Sequence, residues 1–326
     1  MSQPELTHLA DLHVHLGSAA TAHLLWELAH QRGIVLPEKN YWKFLELVKI
    51  DHKIGWETYH NYFDMTQMIQ SSPEAVEHSI HEAISLSYRK SSLDLLEIRF
   101  NPMRRNGDRM YDLDRILLSA TVGMRKAMME YPVQVGLILE MDRRFDMRQN
   151  EIIVEKAIKF RHDGVVGIDV SGPNCDTFSM KEIAILTEKA KSYGLGITIH
   201  TGEAQPVEEV KEVLKYIQPD RIGHGIRSVD DITVMKELRD KNITLEVCPS
   251  SNVTLSVVKN WAEMKKTIRT LLDNEVKVTI NSDGPVFLQT NVKEEYQKLL
   301  DKGILTLDEV EDCNKNAHQA SFINKQ

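Results

Sequence analysis

Residues 180–203 read MKEIAILTEKAKSYGLGITIHTGE, and this stretch contains the unit from which the whole chain is built. Apolar positions spaced by three and four over residues 180–192 predict an amphipathic helix, and Gly194 is a typical C-terminal stop. The apolar run at 196–200 then predicts a short buried strand that ends at His200. A helix that leads into a buried strand is the repeating unit of parallel α/β folds.

Short runs rich in Val, Ile and Leu recur along the chain, and helical pattern separates most of them. The predicted strands are residues 9–16, 93–100, 133–141, 165–170, 196–200, 221–225, 244–248 and 277–281. Two further helices are predicted at 206–217 and 230–241. Eight such units favour a closed (β/α)8 TIM barrel over an open sheet, and no glycine-rich phosphate loop follows the first strand.

The connection between the first and second strands is abnormally long, with more than 70 residues against about 30 per repeat in a minimal barrel. Loops that follow strands lie at the catalytic mouth of such a barrel. We therefore predict that this insertion folds as helices over the mouth and forms an apolar lid. Its aromatic residues could equally pack the insertion onto the barrel, and the main ones are Tyr41, Trp42, Phe44, Trp56, Tyr59, Tyr62 and Phe63.

Length and composition predict one globular domain over residues 1–326, with 42% hydrophobic and 27% charged residues. A net charge of −8 argues against a nucleic-acid partner, which would require a basic face. No signal peptide or membrane span is predicted, and three widely spaced cysteines form no disulfide framework. The cytoplasm is the predicted location, and the oligomeric state is not predicted.

His13 and His15 stand two residues apart at the end of the first predicted strand. Residues i and i+2 of a strand point to the same face, so both imidazoles project together, towards the barrel interior if Val14 faces outward. Two neutral imidazoles side by side form half of a metal site. Such a pair also occurs among ordinary packed or solvated histidines, so taken alone it leaves both interpretations open.

Three other chemically active residues stand where later strands end. His200 closes the fifth predicted strand, and Glu203 follows on a loop from which it can lean back as a proton carrier. His224 lies between two glycines after the sixth strand, and Asp283 follows the eighth. An aspartate in a turn is weak evidence by itself. Together, however, these residues mark the C-terminal ends of strands one, five, six and eight, the face on which barrel active sites are built.

At this point the chain resembles the adenosine deaminase family, part of the amidohydrolase superfamily. The resemblance runs over nearly the full length in a fixed order of motifs. They are DLHVHL (11–16), EIRFNP (97–102), VGIDVSG (166–172), HTGE (200–203), RIGHG (221–225), EVCPS (246–250), NSD (281–283) and HQASF (318–322).

The resemblance implies zinc-dependent hydrolytic deamination of adenosine or a related aminopurine nucleoside or base, with release of ammonia. It also implies one zinc ion per chain, with the ligands His13, His15, His200 and Asp283. By the same resemblance, Glu203 protonates the ring nitrogen beside the attacked carbon and His224 orients and deprotonates the water. Gly172 is implied to contact the purine ring through its backbone N–H.

The chemistry is coherent without the resemblance. A bound Zn²⁺ lowers the pKa of its water to about 7, and attack at an aromatic carbon requires protonation of the adjacent ring nitrogen. A glutamic acid kept neutral by burial can supply that proton, which is the expected role of Glu203. No lysine ends the fourth strand at 168–171, so a bridged two-metal centre is not expected.

Two positions depart from the family pattern. Gly17 stands where an acid usually follows HxHL, and Gly284 stands where a second aspartate usually follows Asp283. In adenosine-acting members the first acid meets the sugar end of the substrate and the second bonds a nitrogen of the five-membered ring. Three alternatives therefore stay open. They are a deaminase of another amino-heterocycle, a metal-dependent hydrolase of an ester, amide or phosphoester, and a barrel that binds a ligand without turnover.

The remaining polar residues at strand ends have simpler expected roles. Glu97 and Arg99 are expected to take part in structural ion pairs, and Asp169 to orient a neighbouring side chain. Cys248 is expected to be a small buried residue rather than a nucleophile. Glu246 could be structural or functional.

Overall fold

Eight parallel strands form the centre of the molecule, and their order in the sheet follows the chain from the first to the eighth. This is seen in a computed structural model that describes residues 6–109, 112–173 and 175–325. The strands are β1 Leu9–His15, β2 Leu93–Phe100, β3 Gln134–Asp142, β4 Val165–Ser171, β5 Gly196–Thr201, β6 Arg221–His224, β7 Thr244–Val247 and β8 Val278–Ile280. Every predicted strand is present, and the ends differ from prediction by one residue at most.

The barrel closes where the chain leaves β8 and meets β1. The backbone N–H of Asp283 donates to the carbonyl of His13 at 2.8 Å, and the N–H of His15 donates to the carbonyl of Asp283 at 2.9 Å. These two bonds form a single parallel bridge between Val14 and Asp283. Closure therefore places the residue after β8 beside both histidines of β1, which is the placement that the strand-end motifs predict.

Helices surround the barrel in the described part of the chain. They are α1 Ala22–Gln31, α2 Tyr41–Leu47, α3 Trp56–Ile69, α4 Pro73–Ser91, α5 Asp114–Glu130, α6 Met147–Lys159, α7 Met180–Ser192, α8 Val207–Tyr216, α9 Ile232–Asp240, α10 Pro249–Thr254, α11 Trp261–Asp273, α12 Val292–Asp301 and α13 Leu307–Ala320. The helix predicted at 180–192 has the predicted bounds, and the other two predicted helices are shorter by one or two residues at each end. None of the helices described is long and apolar enough to cross a membrane.

The long connection between β1 and β2 folds into the four helices α1 to α4, as its apolar pattern predicts. Its aromatic residues divide between packing and exposure, since Phe44 is fully buried whereas Trp42 is 70% exposed. Helix α3 lies at the mouth of the barrel, where Trp56 and Phe63 line the main cavity. That this insertion acts as a lid remains a prediction.

The barrel interior contains a network of buried charges. Arg99 pairs with Asp169 at 2.7 Å and with Glu246 at 2.8 Å, and Arg221 pairs with Glu97 and Glu246. The side chains of all five residues are inaccessible to solvent. Glu97 and Arg99 therefore take part in structural ion pairs as predicted, although they do not pair with each other.

Phe322 fills the end of the barrel opposite the mouth. A Cβ atom at Gly196 would lie 2.2 Å from its ring, and one at Gly167 would lie 2.6 Å away, so glycine at both positions makes room for the phenyl group. The Arg221 guanidinium stacks on the same ring, 3.6 Å from its centroid. Phe322 of the motif HQASF thus packs against the buried charge network through its contact with Arg221.

Candidate active site

Three imidazoles converge at the C-terminal end of the barrel. His13, His15 and His200 each offer a ring nitrogen within a group whose members lie no more than 4.8 Å apart. The Nε2 atoms of His15 and His200 are 3.1 Å apart, and Nε2 of His13 is buried without a hydrogen-bond partner among the residues described. The alternation of side chains along β1 places both of its histidines at this point, as the spacing predicts.

A carboxylate lies behind each imidazole, on the side away from the point of convergence. The Nδ1 atoms face Glu246 at 2.7 Å, Glu140 at 3.0 Å and Asp169 at 2.8 Å, for His13, His15 and His200 respectively. A carboxylate at Nδ1 holds the proton on that nitrogen and leaves Nε2 with a lone pair directed at the common centre. Asp169 lies against the imidazole of His200, and its orienting role stays a prediction because Nδ1 of His200 forms no hydrogen bond of good geometry among the residues described. Glu246 contacts the site as well as the arginines of the barrel.

Asp283 completes the group from the end of β8. One of its oxygens, Oδ1, lies 3.6 Å from Nε2 of His15 and 4.0 Å from Nε2 of His13. The other, Oδ2, accepts a hydrogen bond from the Ser251 hydroxyl at 2.5 Å. The residue has a positive φ of 60°, so its backbone is held in a sparsely populated conformation beside the two β1 histidines.

These donors fit a divalent cation. Ligands of a tetrahedral zinc lie about 2.1 Å from the ion and therefore about 3.4 Å from one another, which is close to the observed separation of the two Nε2 atoms. The unpartnered Nε2 of His13 is a buried polar atom that a cation would satisfy. Three imidazoles and one carboxylate form a donor set typical of zinc.

Glu203 lies next to this group on the loop after β5. The indole N–H of Trp56 donates to its Oε2 at 3.1 Å, and the Asn252 amide donates to its Oε1 at 3.3 Å. Burial raises the pKa of Glu203 to about 7, and the negative charge of Asp283 acts in the same direction. A carboxyl with this pKa can both hold and release a proton at neutral pH.

His224 faces Glu203 from the end of β6. Its Nε2 lies 3.7 Å from Oε1 of Glu203, and its Nδ1 lies 3.1 Å from the side-chain amide of Asn252. Burial lowers the pKa of His224 to about 4, so the imidazole is neutral at physiological pH. The predicted pair of Glu203 and His224 is therefore in contact range, and Asn252 bridges the two.

The cavity over this group encloses about 840 Å³ of empty space, part of it open to solvent. One face of α3 forms a wall of the cavity through Trp56, Tyr59, His60 and Phe63, which are spaced by three and four residues. Gly172 lines the opposite side and has a positive φ of 99°, a conformation that favours glycine. A cavity of this size suits a ligand of a few hundred daltons.

Aromatic side chains of α3 occupy the space next to the two unusual glycines. A Cβ atom at Gly17 would lie 2.7 Å from the Phe63 ring, and one at Gly284 would lie 2.5 Å from the Tyr59 hydroxyl oxygen. The Tyr59 hydroxyl is buried and has no hydrogen-bond partner in the part of the chain that is described. An acid at either position would require the aromatic residue to move, so each glycine is matched to its α3 neighbour.

Several residues of the site were not predicted from the sequence. Glu140 and Asn252 contact predicted residues directly, and so does Trp56, which was expected only as one of the aromatic residues of the insertion. Asn252 lies two residues after the motif EVCPS, in the helix that follows β7, and this position close to a strand end was the one signal that could have identified it. Cys248 is buried as expected, and burial raises the pKa of its thiol well above the ordinary range.

The comparison of this chain with known sequences gives one consistent answer. A family model described as Adenosine deaminase matches residues 8–326. A curated adenosine deaminase of Clostridium botulinum (strain 657 / Type Ba4) is 28% identical over 317 residues, which cover 97% of this chain and 94% of the relative. The match therefore includes every predicted site residue.

Two solved structures have the same fold. Adenine deaminase from Arthrobacter aurescens aligns with a TM-score of 0.85 at 20% identity, covering 97% of this chain and 94% of that chain. An N6-methyl-AMP deaminase from Arabidopsis thaliana aligns with a TM-score of 0.82 at 22% identity, covering 97% and 92%. At these identities the structures establish the fold alone, and they confirm the predicted (β/α)8 barrel.

Proposed function

The chain belongs to the adenosine deaminase family, and from this premise we propose that it hydrolyses an amino group from an aminopurine and releases ammonia. Relatives and structural neighbours are named for action on adenosine, adenine and N6-methyl-AMP, which all carry an amino group on a purine ring. The observation that carries the proposal is the buried Glu203 carboxyl, which faces His224 beside three convergent imidazoles.

We propose that one zinc ion per chain is held by the ligand set His13, His15, His200 and Asp283. When bound, the ion supplies the Lewis acidity that makes water a nucleophile near neutral pH. The carboxylates behind the three imidazoles keep Nε2 available for the cation. The three cysteines are free, which is consistent with the reducing cytoplasm that we propose as the location.

Glu203 is proposed as the acid that protonates the ring nitrogen next to the carbon under attack. Because burial raises its pKa to about 7, a large fraction of the carboxyl is protonated at neutral pH and can donate. Trp56 and Asn252 hold both of its oxygens and so fix its direction. Gly172 is proposed to present its backbone N–H to the ring, because the absence of a side chain there leaves the backbone accessible.

His224 is proposed to orient and deprotonate the attacking water, and Asn252 sets its tautomer. The Oδ1 atom of Asn252 is buried without a partner, whereas its Nδ2 atom lies against Nδ1 of His224. Rotation of this amide by a half turn gives Oδ1 two donors, the Nδ1–H of His224 and the protonated Oε1 of Glu203, which lies 3.3 Å from the same position. In that orientation Nε2 is unprotonated and accepts the proton of water.

The test of this proposal is ammonia release by the zinc-loaded protein from adenosine, deoxyadenosine, adenine, AMP, N6-methyl-AMP, guanine and a pterin. N6-methyl-AMP would release methylamine, so each amine is measured separately. We expect at least one aminopurine to be turned over with kcat/KM of about 10⁴ M⁻¹ s⁻¹ or more. Turnover of the pterin alone would contradict the purine assignment, and hydrolysis of a test ester without amine release would contradict deamination.

Zinc binding is expected to stabilise the fold measurably. At a free concentration 100 times Kd, a ligand that binds only the folded state adds about 2.7 kcal/mol to the free energy of unfolding. Urea unfolding of chelator-treated protein, with and without zinc, measures this difference, and native mass spectrometry gives the stoichiometry. His200→Asn should lose the effect, whereas His78→Asn, which removes an exposed imidazole of α4, should keep it. Two ions per chain, or full stabilisation of His200→Asn, would contradict the assignment.

A further inference from the structure

Arg105 is a buried cation on the wall of the active-site cavity. Its residue is only 2% exposed, and it lines the same cavity as His15 and His200. Burial lowers the pKa of Arg105 to about 10, so the guanidinium is still charged at neutral pH. Within the described chain it forms one hydrogen bond, from Nη1 to Oε1 of Gln70 at 2.6 Å, and its Nε has no partner.

Neighbouring arginines are neutralised by an acid, whereas Arg105 is not. Arg104 and Arg144 both pair with Asp142, at 3.0 Å and 2.8 Å. The carboxylate that acts on Arg105 electrostatically is that of Glu140, and one of its oxygens already contacts His15 and the Ser171 hydroxyl, each at 3.0 Å. No described acidic residue forms an ion pair with Arg105, so a buried charge is left uncompensated, which is a costly arrangement unless a ligand pairs with it.

Gly17 explains why the charge is left open. A Cβ atom at this position would lie 3.5 Å from Nη2 of Arg105 and 2.7 Å from the Phe63 ring. Glycine therefore leaves no side chain between the guanidinium and the cavity, and none that could pair with its charge.

We propose that Arg105 binds an oxyanion, a phosphate or a carboxylate, carried by the substrate. The inference rests on the proposed function and narrows it to acidic aminopurine compounds such as nucleoside monophosphates. Gln70 preorganises the contact, because it accepts from Nη1 of Arg105 and donates to the carbonyl of Leu16 at 3.2 Å. The guanidinium is thereby fixed, and Nη2, which lies beside Gly17, is the nitrogen that can donate to an oxyanion.

The experiment compares kcat/KM for adenosine, AMP and adenosine 5′-carboxylic acid in the wild type, Arg105→Gln and Arg105→Lys. A charge-assisted contact is expected to favour at least one acidic substrate over adenosine by about 10- to 100-fold. Arg105→Gln should abolish this preference by lowering kcat/KM for the acidic substrate at least about 10-fold more than kcat/KM for adenosine, and Arg105→Lys should retain part of it. Preference for AMP alone identifies a phosphate site, and preference for both acids identifies a general oxyanion site.

The matched control is Arg104→Gln, which removes the same charge one residue away, from a side chain that does not line the cavity. It should leave the preference within about 3-fold of wild type if the contact is local. Arg105→Gln is expected to fold at least as stably as wild type, because it removes an uncompensated buried charge. Equal use of adenosine and both acidic substrates by the wild type, or equal loss of preference in Arg105→Gln and Arg104→Gln, would overturn the proposal.

A binding measurement separates this proposal from the proposed function. Calorimetric titration with IMP and inosine tests the anion site whether or not any substrate is turned over. Tighter binding of IMP in the wild type and not in Arg105→Gln supports the site even if deamination fails. Equal affinity for IMP and inosine in the wild type contradicts the anion site, even if an aminopurine is deaminated.

Discussion

Replacement of Glu203 by glutamine is expected to lower kcat by about 1,000-fold on whichever aminopurine proves to be the substrate, because general acid catalysis contributes about 10² to 10⁴. The amide keeps the shape of the side chain but cannot deliver a proton to the ring nitrogen. Its folding cost should be small, since burial already disfavours the charged carboxylate in the native state. Steady-state amine release, together with zinc content and a thermal melt, measures the loss and shows that the site is otherwise intact.

Glu208→Gln provides the control for this experiment. Glu208 lies five residues further along the chain, at the start of α8, and its side chain is 70% exposed. We expect it to retain wild-type activity within about 2-fold, because exposed substitutions away from the site change little. A Glu203→Gln enzyme that kept more than about a tenth of wild-type kcat would contradict the role of proton donor.

The barrel and the centre of the site could be predicted because both depend on local patterns. Short apolar runs mark buried parallel strands, and a residue that directly follows such a run lies at the mouth of a barrel. This reasoning identified four residues before any distance between them was known: His13, His200, His224 and Asp283. The closure bridge between Val14 and Asp283 then accounts for the contact between the first and last motifs.

The surroundings of the site could not be predicted because they depend on contacts between distant segments. Glu140 belongs to a predicted strand that carries no motif of its own, and only the registers of β1, β2 and β3 in the barrel place it behind His15. Tyr59 and Phe63 belong to an insertion whose helices have no fixed relation to the strands in the sequence. Their contacts with Gly284 and Gly17 therefore appear only in three dimensions.

Substrate identity follows from these distant contacts rather than from the motifs. The metal ligands and the proton-transfer residues can serve the deamination of many different compounds. The residues that line the cavity determine which compound binds. In this chain the wall differs from the family pattern at two glycines, and the open charge of Arg105 lies beside one of them, Gly17. The sequence could indicate that something had changed at Gly17, but the side chain that uses the space became visible only in the fold.

Glu246 connects the stability of the barrel to its metal site, and Glu246→Gln is expected to weaken both. The carboxylate accepts from Arg99, Arg221 and the Thr198 hydroxyl, and it faces Nδ1 of His13. Loss of one partner from a buried ion network costs about 3–5 kcal/mol. Loss of the carboxylate behind a ligating imidazole lowers metal affinity by about 10- to 100-fold.

Urea unfolding of the metal-free proteins measures the first effect, and zinc competition with a chromogenic chelator measures the second. The control is Glu237→Gln, which breaks an exposed pair with Lys241 at 2.7 Å and should cost at most about 1 kcal/mol. Because Arg99 keeps Asp169 and Arg221 keeps Glu97, the variant still has one acid for each arginine. A Glu246→Gln protein as stable as Glu237→Gln would mean that these remaining pairs are sufficient. In that case Asp169 and Glu97 would suffice to balance the two arginines of the barrel interior, and Glu246 would serve His13 alone.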